Sequence, residues 1–238
     1  MTDHPKIHRF ENPVDVLHID NHTIIVNKRA GDIVQGDKTG DEPLSEKIKN
    51  YLKEKFNKPG NVFCGVVHRL DRPTSGALVF ARTSKGLSRL NEQFRKGIPE
   101  KTYWAIVEQV PERKEGRLEH FLAKNPDKNK SFVTQEGKHG AKQAVLNYKW
   151  LASSDRYHLL EVKLETGRHH QIRCQLAAIG CIIKGDLKYG AKRSNPDGSI
   201  GLHARTLSFD HPTTKERVTI TAPAPDDSLW RYFESGQR

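Results

Sequence analysis

Between residues 101 and 165, five strand-like segments follow one another with only turns between them. They are Lys101–Gln109 (KTYWAIVEQ), Gly116–Lys124, Ser131–Gln135, Lys142–Leu151 and Tyr157–Glu165. β-Branched and aromatic residues mark the strands, and turn-like pieces such as KNPDKNK (124–130) separate them. That lysine-rich piece reads as a solvated hairpin tip. A doubly wound nucleotide fold requires strands and helices in regular alternation, and this run lacks it. Helical patterns lie on either side. In Asp41–Asn57, Leu44, Ile48, Leu52 and Phe56 fall four apart on one face, with Asp41 placed to cap and Pro43 in the first turn. Ser84–Lys96 carries Leu87, Leu90 and Phe94 on one side and ends at Gly97. A short helix is expected over Arg168–Ile179 and a closing one over Asp227–Phe233. His22–Lys28, Val62–Val67, Gly76–Arg82, Leu202–Phe209 and Arg217–Thr221 complete the strands. The chain should therefore be α+β, with an irregular lead-in over 1–20 and one domain over 21–238. That domain should hold a large mixed, mainly antiparallel sheet flanked by helices.

Charge narrows the partner. Forty Lys and Arg against 29 Asp and Glu give a net charge of +11, which suits a polyanion and nucleic acid above all. No apolar stretch approaches the roughly 18 residues of a membrane span. The start, MTDHPKIHRF, has no apolar core of a secretion signal, so a cytoplasmic location is expected. Cys64, Cys174 and Cys181 are odd in number and unrelated in spacing, which argues against a disulfide framework or a zinc site.

Common cofactor and nucleophile motifs are missing: there is no GxxxxGK[ST], GxGxxG or HExxH, and Ser75 lies in T-S-G rather than G-x-S-x-G. His169-His170 could suggest a metal. Adjacent helical side chains diverge by about 100°, which makes them a poor chelating pair. Two segments remain. The first is HRLDRPTSGALVF (68–80), where Asp71 stands between Arg69 and Arg72. An aspartate among arginines carries its charge at neutral pH, making it a poor general base but a possible nucleophile. Taken alone, H-R-L-D more often marks an ion pair that pins a loop. The second is LETGRHHQIRCQLAAIGCIIKGDLKYG (164–190). It places Gly167, Arg168, His170, Gln171 and Arg173 around a helix start, a fair place for a phosphate or for an arginine paired with a distant carboxylate.

Together these segments change the balance. HRLDRPTSG, followed about a hundred residues later by GR-x-HQIR-x-x-LAAIG-x-x-I-x-GD-x-x-YG, resembles the RluA-type family of RNA pseudouridine synthases. IIVNKRAGDIVQGD (24–37), KTYWAIVEQ (101–109) and LHARTLSFDHP (202–212) resemble further family motifs in family order. The resemblance spans roughly residues 22–222 and implies the pseudouridine synthase fold.

It also implies an activity: the N1–C1′ bond of a uridine in ribosomal or transfer RNA breaks, the uracil turns over, and C5 joins C1′. No metal, nucleotide or redox cofactor is called for. Asp71 would be the catalytic carboxylate, either attacking C1′ or helping to remove the C2′ proton. Tyr103 would lie against the uracil as a candidate for handling the C5 proton, and Arg173 would hold Asp71. Arg69 would enter the RNA stack as the base flips out, while Arg168, His170 and Gln171 would contact RNA. Arg72 would meet a phosphate or a nearby acid. The chain departs from the family pattern at Lys28-Arg29, His169, Gln175 and Cys181-Ile182, which bears on RNA contacts rather than on the chemistry. About 22 residues precede the first motif, too few for the S4-type RNA-binding domain of many relatives. Target choice is thus expected to rest on the catalytic domain, acting as a monomer. The rival expectations are a non-catalytic RNA-binding or assembly factor on this fold, and a nucleoside or base hydrolase using Asp71.

Overall fold

The structure, a computed structural model, describes residues 14–37 and 39–236. Its strands are β1 (Val16–Ile19), β2 (Thr23–Lys28), β3 (Gly65–Val66), β4 (Ser75–Ala81), β5 (Glu100–Val107), β6 (Glu115–Asn125), β7 (Lys130–Thr134), β8 (Lys142–Ser153), β9 (His158–Leu164), β10 (Leu202–Asp210) and β11 (Arg217–Thr221). Its helices are α1 (Leu44–Lys55), α2 (Ser84–Lys96), α3 (Gln171–Ala178) and α4 (Ser228–Ser235), with a 3₁₀ turn at Leu187–Tyr189. All eleven strands join one sheet in the order β1-β2-β4-β10-β5-β9-β8-β6-β7, with β3 beside β4 and β11 beside β10. Among the described residues one pairing is parallel, β4 with β10 through Ser75–His203 and Gly76–Ala204. The α+β class and the mixed, mainly antiparallel sheet are as the pattern of elements suggested. None of the described helices is long and apolar enough to cross a membrane.

The central strands read as they do because both faces are covered. Every residue of β4, SGALVFA, is buried, which is why it shows an apolar run rather than alternation. Leu78 and Phe80 point into a core shared with Leu44, Ile48 and Leu52 of α1. Ala77, Val79 and Ala81 point to the other face, against Leu90 of α2. Helix α2 starts and stops as its sequence dictates. The Thr83 side chain accepts from the Gly86 N–H, and Gly97 closes it in the left-handed region.

Three expectations need correction. The lead-in is not irregular where it is described: Val16–Ile19 form β1, antiparallel to β2. Residues 1–13 of that lead-in lie outside the described residues. Asp41 does not cap α1, which begins after Pro43 without a side-chain cap. Its carboxylate pairs instead with Arg72 at 2.6 Å. The helix expected from Arg168 starts at Gln171, because His170 takes a left-handed conformation (φ 50°) that no helix accommodates.

Candidate active site

Asp71 lies in the loop that leads into β4, at one end of the parallel β4–β10 pairing. The loop is anchored from below. Lys28, 1% exposed at the end of β2, donates to the carbonyls of Arg29, Arg72 and Thr74 at 3.0, 3.0 and 2.7 Å. Burial lowers its ammonium to about 8, so it remains largely protonated at neutral pH and uses three N–H donors on three oxygens. From the far side, the Ile200 N–H donates to the Pro73 carbonyl. The loop then enters β4 through Gly76 at φ 120°, where a Cβ would lie 2.4 Å from the Ala204 carbonyl oxygen. Only glycine permits this close approach.

Arg173, in the first turn of α3, reaches the Asp71 carboxylate: Nη1 to Oδ2 is 3.0 Å. The same guanidinium is held in a fork by Asp186, with Nε and Nη2 donating to its two oxygens at 2.7 Å each. Asp186 is 1% exposed, and its carboxylate makes no other hydrogen bond among the described residues. The arginine is thus fixed by one acid and presents its remaining edge to another. Oδ1 of Asp71 makes no hydrogen bond among the described residues and is available to the cleft.

His170 completes the cluster. Arg173 Nη1 lies 3.1 Å from its Nε2, and its Nδ1 lies 3.0 Å from the Tyr189 hydroxyl. Burial first, then the Arg173 charge, hold this imidazole far below the usual histidine range. It is therefore neutral. Nε2 must accept from Arg173, leaving the proton on Nδ1 to be donated to Tyr189. The 3.5 Å approach of Nε2 to Asp71 is then no ion pair: both atoms accept from one guanidinium. Tyr189 passes its own proton to the Ser131 carbonyl and accepts from the Ser131 N–H, which ties the network to β7.

A cleft of about 700 Å³ opens over these groups. Asp71, Tyr103, Thr74, Ile172, Leu202 and Arg173 line it, with Arg69, Arg95, Lys101 and Arg168 also on its walls. Tyr103 stands on β5, one strand beyond β10, and is buried. Burial and then the Asp71 charge raise its hydroxyl well above the usual tyrosine range, so it is a neutral phenol. Arg69 is exposed. Arg168 is exposed too, with its Nε on the Gln143 carbonyl.

The structure thus brings Asp71, Tyr103 and Arg173 to one cleft with Arg69 and Arg168. The other two expected RNA contacts also line the cleft, but their polar groups are engaged within the protein. Gln171, 3% exposed, accepts from the Thr166 hydroxyl and the Arg168 N–H and donates to the Val145 carbonyl; its amide holds the turn. His170 serves the arginine cluster. His169 and His170 precede the helix rather than riding on it, with rings stacked 3.8 Å apart. No described cluster of three metal-ligating side chains occurs. Lys28, Asp186 and Tyr189 stand in motifs read from the sequence but were given no role there. The signal for Asp186 and Tyr189 was the GD-x-x-YG piece itself, whose two glycines both take positive φ.

This architecture is shared with solved pseudouridylate synthases. The human RNA pseudouridylate synthase domain containing 4 matches with a TM-score of 0.76 over 92% of both chains, at 24% identity. The family model described as RNA pseudouridylate synthase matches residues 22–178. An uncharacterized RNA pseudouridine synthase of Zymomonas mobilis is 36% identical over 88% of this chain and 93% of its own length. The ribosomal large subunit pseudouridine synthase D of the same organism is 31% identical over 90% of this chain and 70% of its own. An uncharacterized RNA pseudouridine synthase of Synechocystis is 34% identical, and there the chain spans 66% of the relative's length. The chain belongs to the RNA pseudouridine synthase family.

Proposed function

We propose that this chain isomerises uridine in structured RNA, ribosomal or transfer, to pseudouridine, with Asp71 as the reacting carboxylate. The observation that carries this is the clamp on Asp71. One oxygen is fixed by an arginine that is itself fixed, and the other is left open to a cleft large enough for a flipped nucleotide. A preset carboxylate needs no reorganisation when charge develops at C1′. It either attacks C1′ or assists removal of the C2′ proton. Tyr103, a neutral phenol, acts as a surface for the uracil and as a proton donor or relay at C5, not as a standing phenolate. Arg69 fills the stack left by the flipped base, a step that costs a few kcal/mol. Arg168 meets the RNA backbone.

Tritium release from C5-labelled uridine in cellular RNA tests the assignment. Wild type should release tritium, and Asp71→Asn should abolish release while keeping RNA affinity within a few-fold. Release by the Asn variant would remove Asp71 from the chemistry. No release by wild type would favour an RNA-binding factor on this fold.

A further inference from the structure

Lys101 is a cation on the wall of the cleft with nothing to balance it. It lies on β5 two residues before Tyr103, so the two side chains share a face of the strand roughly 7 Å apart. Exposure falls along β5 from Glu100 to Val107, which places Lys101 on the mouth side of Tyr103. Its Nζ approaches the 166–168 turn: a methyl group built on Gly167 would stand 3.5 Å away. His68, stacked on Phe94 with ring centres 4.6 Å apart, completes this wall, and the Lys101 charge adds to burial in keeping His68 neutral.

The ammonium makes no hydrogen bond or ion pair among the described residues. Neither acid of the cleft pairs with it. Asp71 takes Arg173 at 3.0 Å, and Glu165 takes the Asn147 amide at 2.7 Å and Arg117 at 3.3 Å. Burial lowers the ammonium below the usual lysine value, and no neighbouring acid works against this. A half-desolvated cation without a partner costs stability, and a methionine of similar length would fill the same wall without that cost.

We infer that Lys101 holds a phosphate of the RNA chain next to the flipped uridine, an inference that rests on the uridine-isomerising reading above. Its position fits a phosphate better than the base, because Tyr103, deeper on the same face, already lines the base pocket beside Asp71. The missing side chain at Gly167 leaves the ammonium open to the cleft. The phosphate supplies the counter-charge that the protein withholds.

The test uses Lys101→Met and Lys101→Arg in the Asp71→Asn protein, so that binding is read without turnover. The probe is a short fluorescein-labelled oligouridylate, titrated over a series of salt concentrations and paired with thermal unfolding of the free protein. Loss of one phosphate contact on a single strand lowers the slope of log affinity against log salt by ~0.7. Lys101→Met should lose that slope and affinity while its Tm rises, and Lys101→Arg should keep most of the slope. An unchanged slope, or affinity and Tm falling together as for a merely structural lysine, overturns the assignment. Neither readout depends on tritium release, so failure here is separable from failure of the catalytic assignment.

Discussion

At the scale of the residue, the proposed chemistry turns on Arg173, which touches both Asp71 and Asp186. Replacing it by methionine leaves Asp186, 1% exposed, as a buried charge with no partner. Breaking a buried pair in this way destabilises by about 3–5 kcal/mol. Arg173→Met should therefore lose stability in urea unfolding and lose turnover far more than RNA affinity. Arg173→Lys should not restore turnover, since a single ammonium cannot fork onto Asp186 and still reach Asp71. Equal losses of turnover and affinity in the methionine variant would mark Arg173 as an RNA contact instead. The pairing of Arg173 with Asp71 was implied by the family motifs alone. Its hold on Asp186 was invisible in the sequence, because thirteen residues and a turn separate the two acting groups and no periodicity links them. Lys28 was equally hidden: a lysine at the end of an apolar strand looks solvated until the loop above it supplies three carbonyls.

At the scale of the element, long helices and strands were legible because one face or both is buried, which writes a period into the sequence. Helix α2 and strand β11 have the bounds that patterning gave. The strand expected over Val62–Val67 shrinks to Gly65–Val66, and at two other places a single local feature overrode the pattern. His170 at φ 50° delays α3, and Asp41, read as a cap, is drawn off by Arg72. β1, VLHI, is four residues of intermediate burial, too short and too weakly patterned to stand out. Among the elements the loop into β4 is the most exposed to damage. Gly76→Ala puts a Cβ at φ 120° against the backbone of Ala204. The strain alone is ~1–3 kcal/mol, and the clash separates β4 from β10 at the point where Asp71 is delivered. This variant should show a lowered Tm and a larger loss of tritium release than an exposed Gly60→Ala control, where φ is ordinary and no atom lies within 4 Å. Equal effects from the two would mean that the parallel join is not what positions the loop.

At the scale of the whole molecule, stability should follow pH through His170. Its folded value lies far below the ordinary 6.5, so the folded chain binds fewer protons than the unfolded chain once pH falls under about 6.5. The stability is present in full above that value and is lost progressively on acidification. Urea unfolding at about pH 7 and about pH 5 should show wild type losing more stability than His170→Gln, which cannot titrate. Parallel losses would assign the acid sensitivity to other groups. Net charge, by contrast, was legible at once and spoke only to the partner.

The order of strands in the sheet has a consequence for how the chain is made. The strand that sits between β4 and β5 is β10, and its residues follow all three of Asp71, Tyr103 and Arg173 in sequence. A growing chain therefore carries all three of these residues, the groups proposed to react, before it carries the strand that sets two of them side by side. Until Leu202–Asp210 arrive, β4 and β5 each keep an open edge, and such edges recruit other chains. Long-range closure of this kind is slow to form. A chain stopped just short of Leu202 would hold every residue assigned to the proposed chemistry, lack the strand that gathers them, and offer adhesive strand edges to its neighbours.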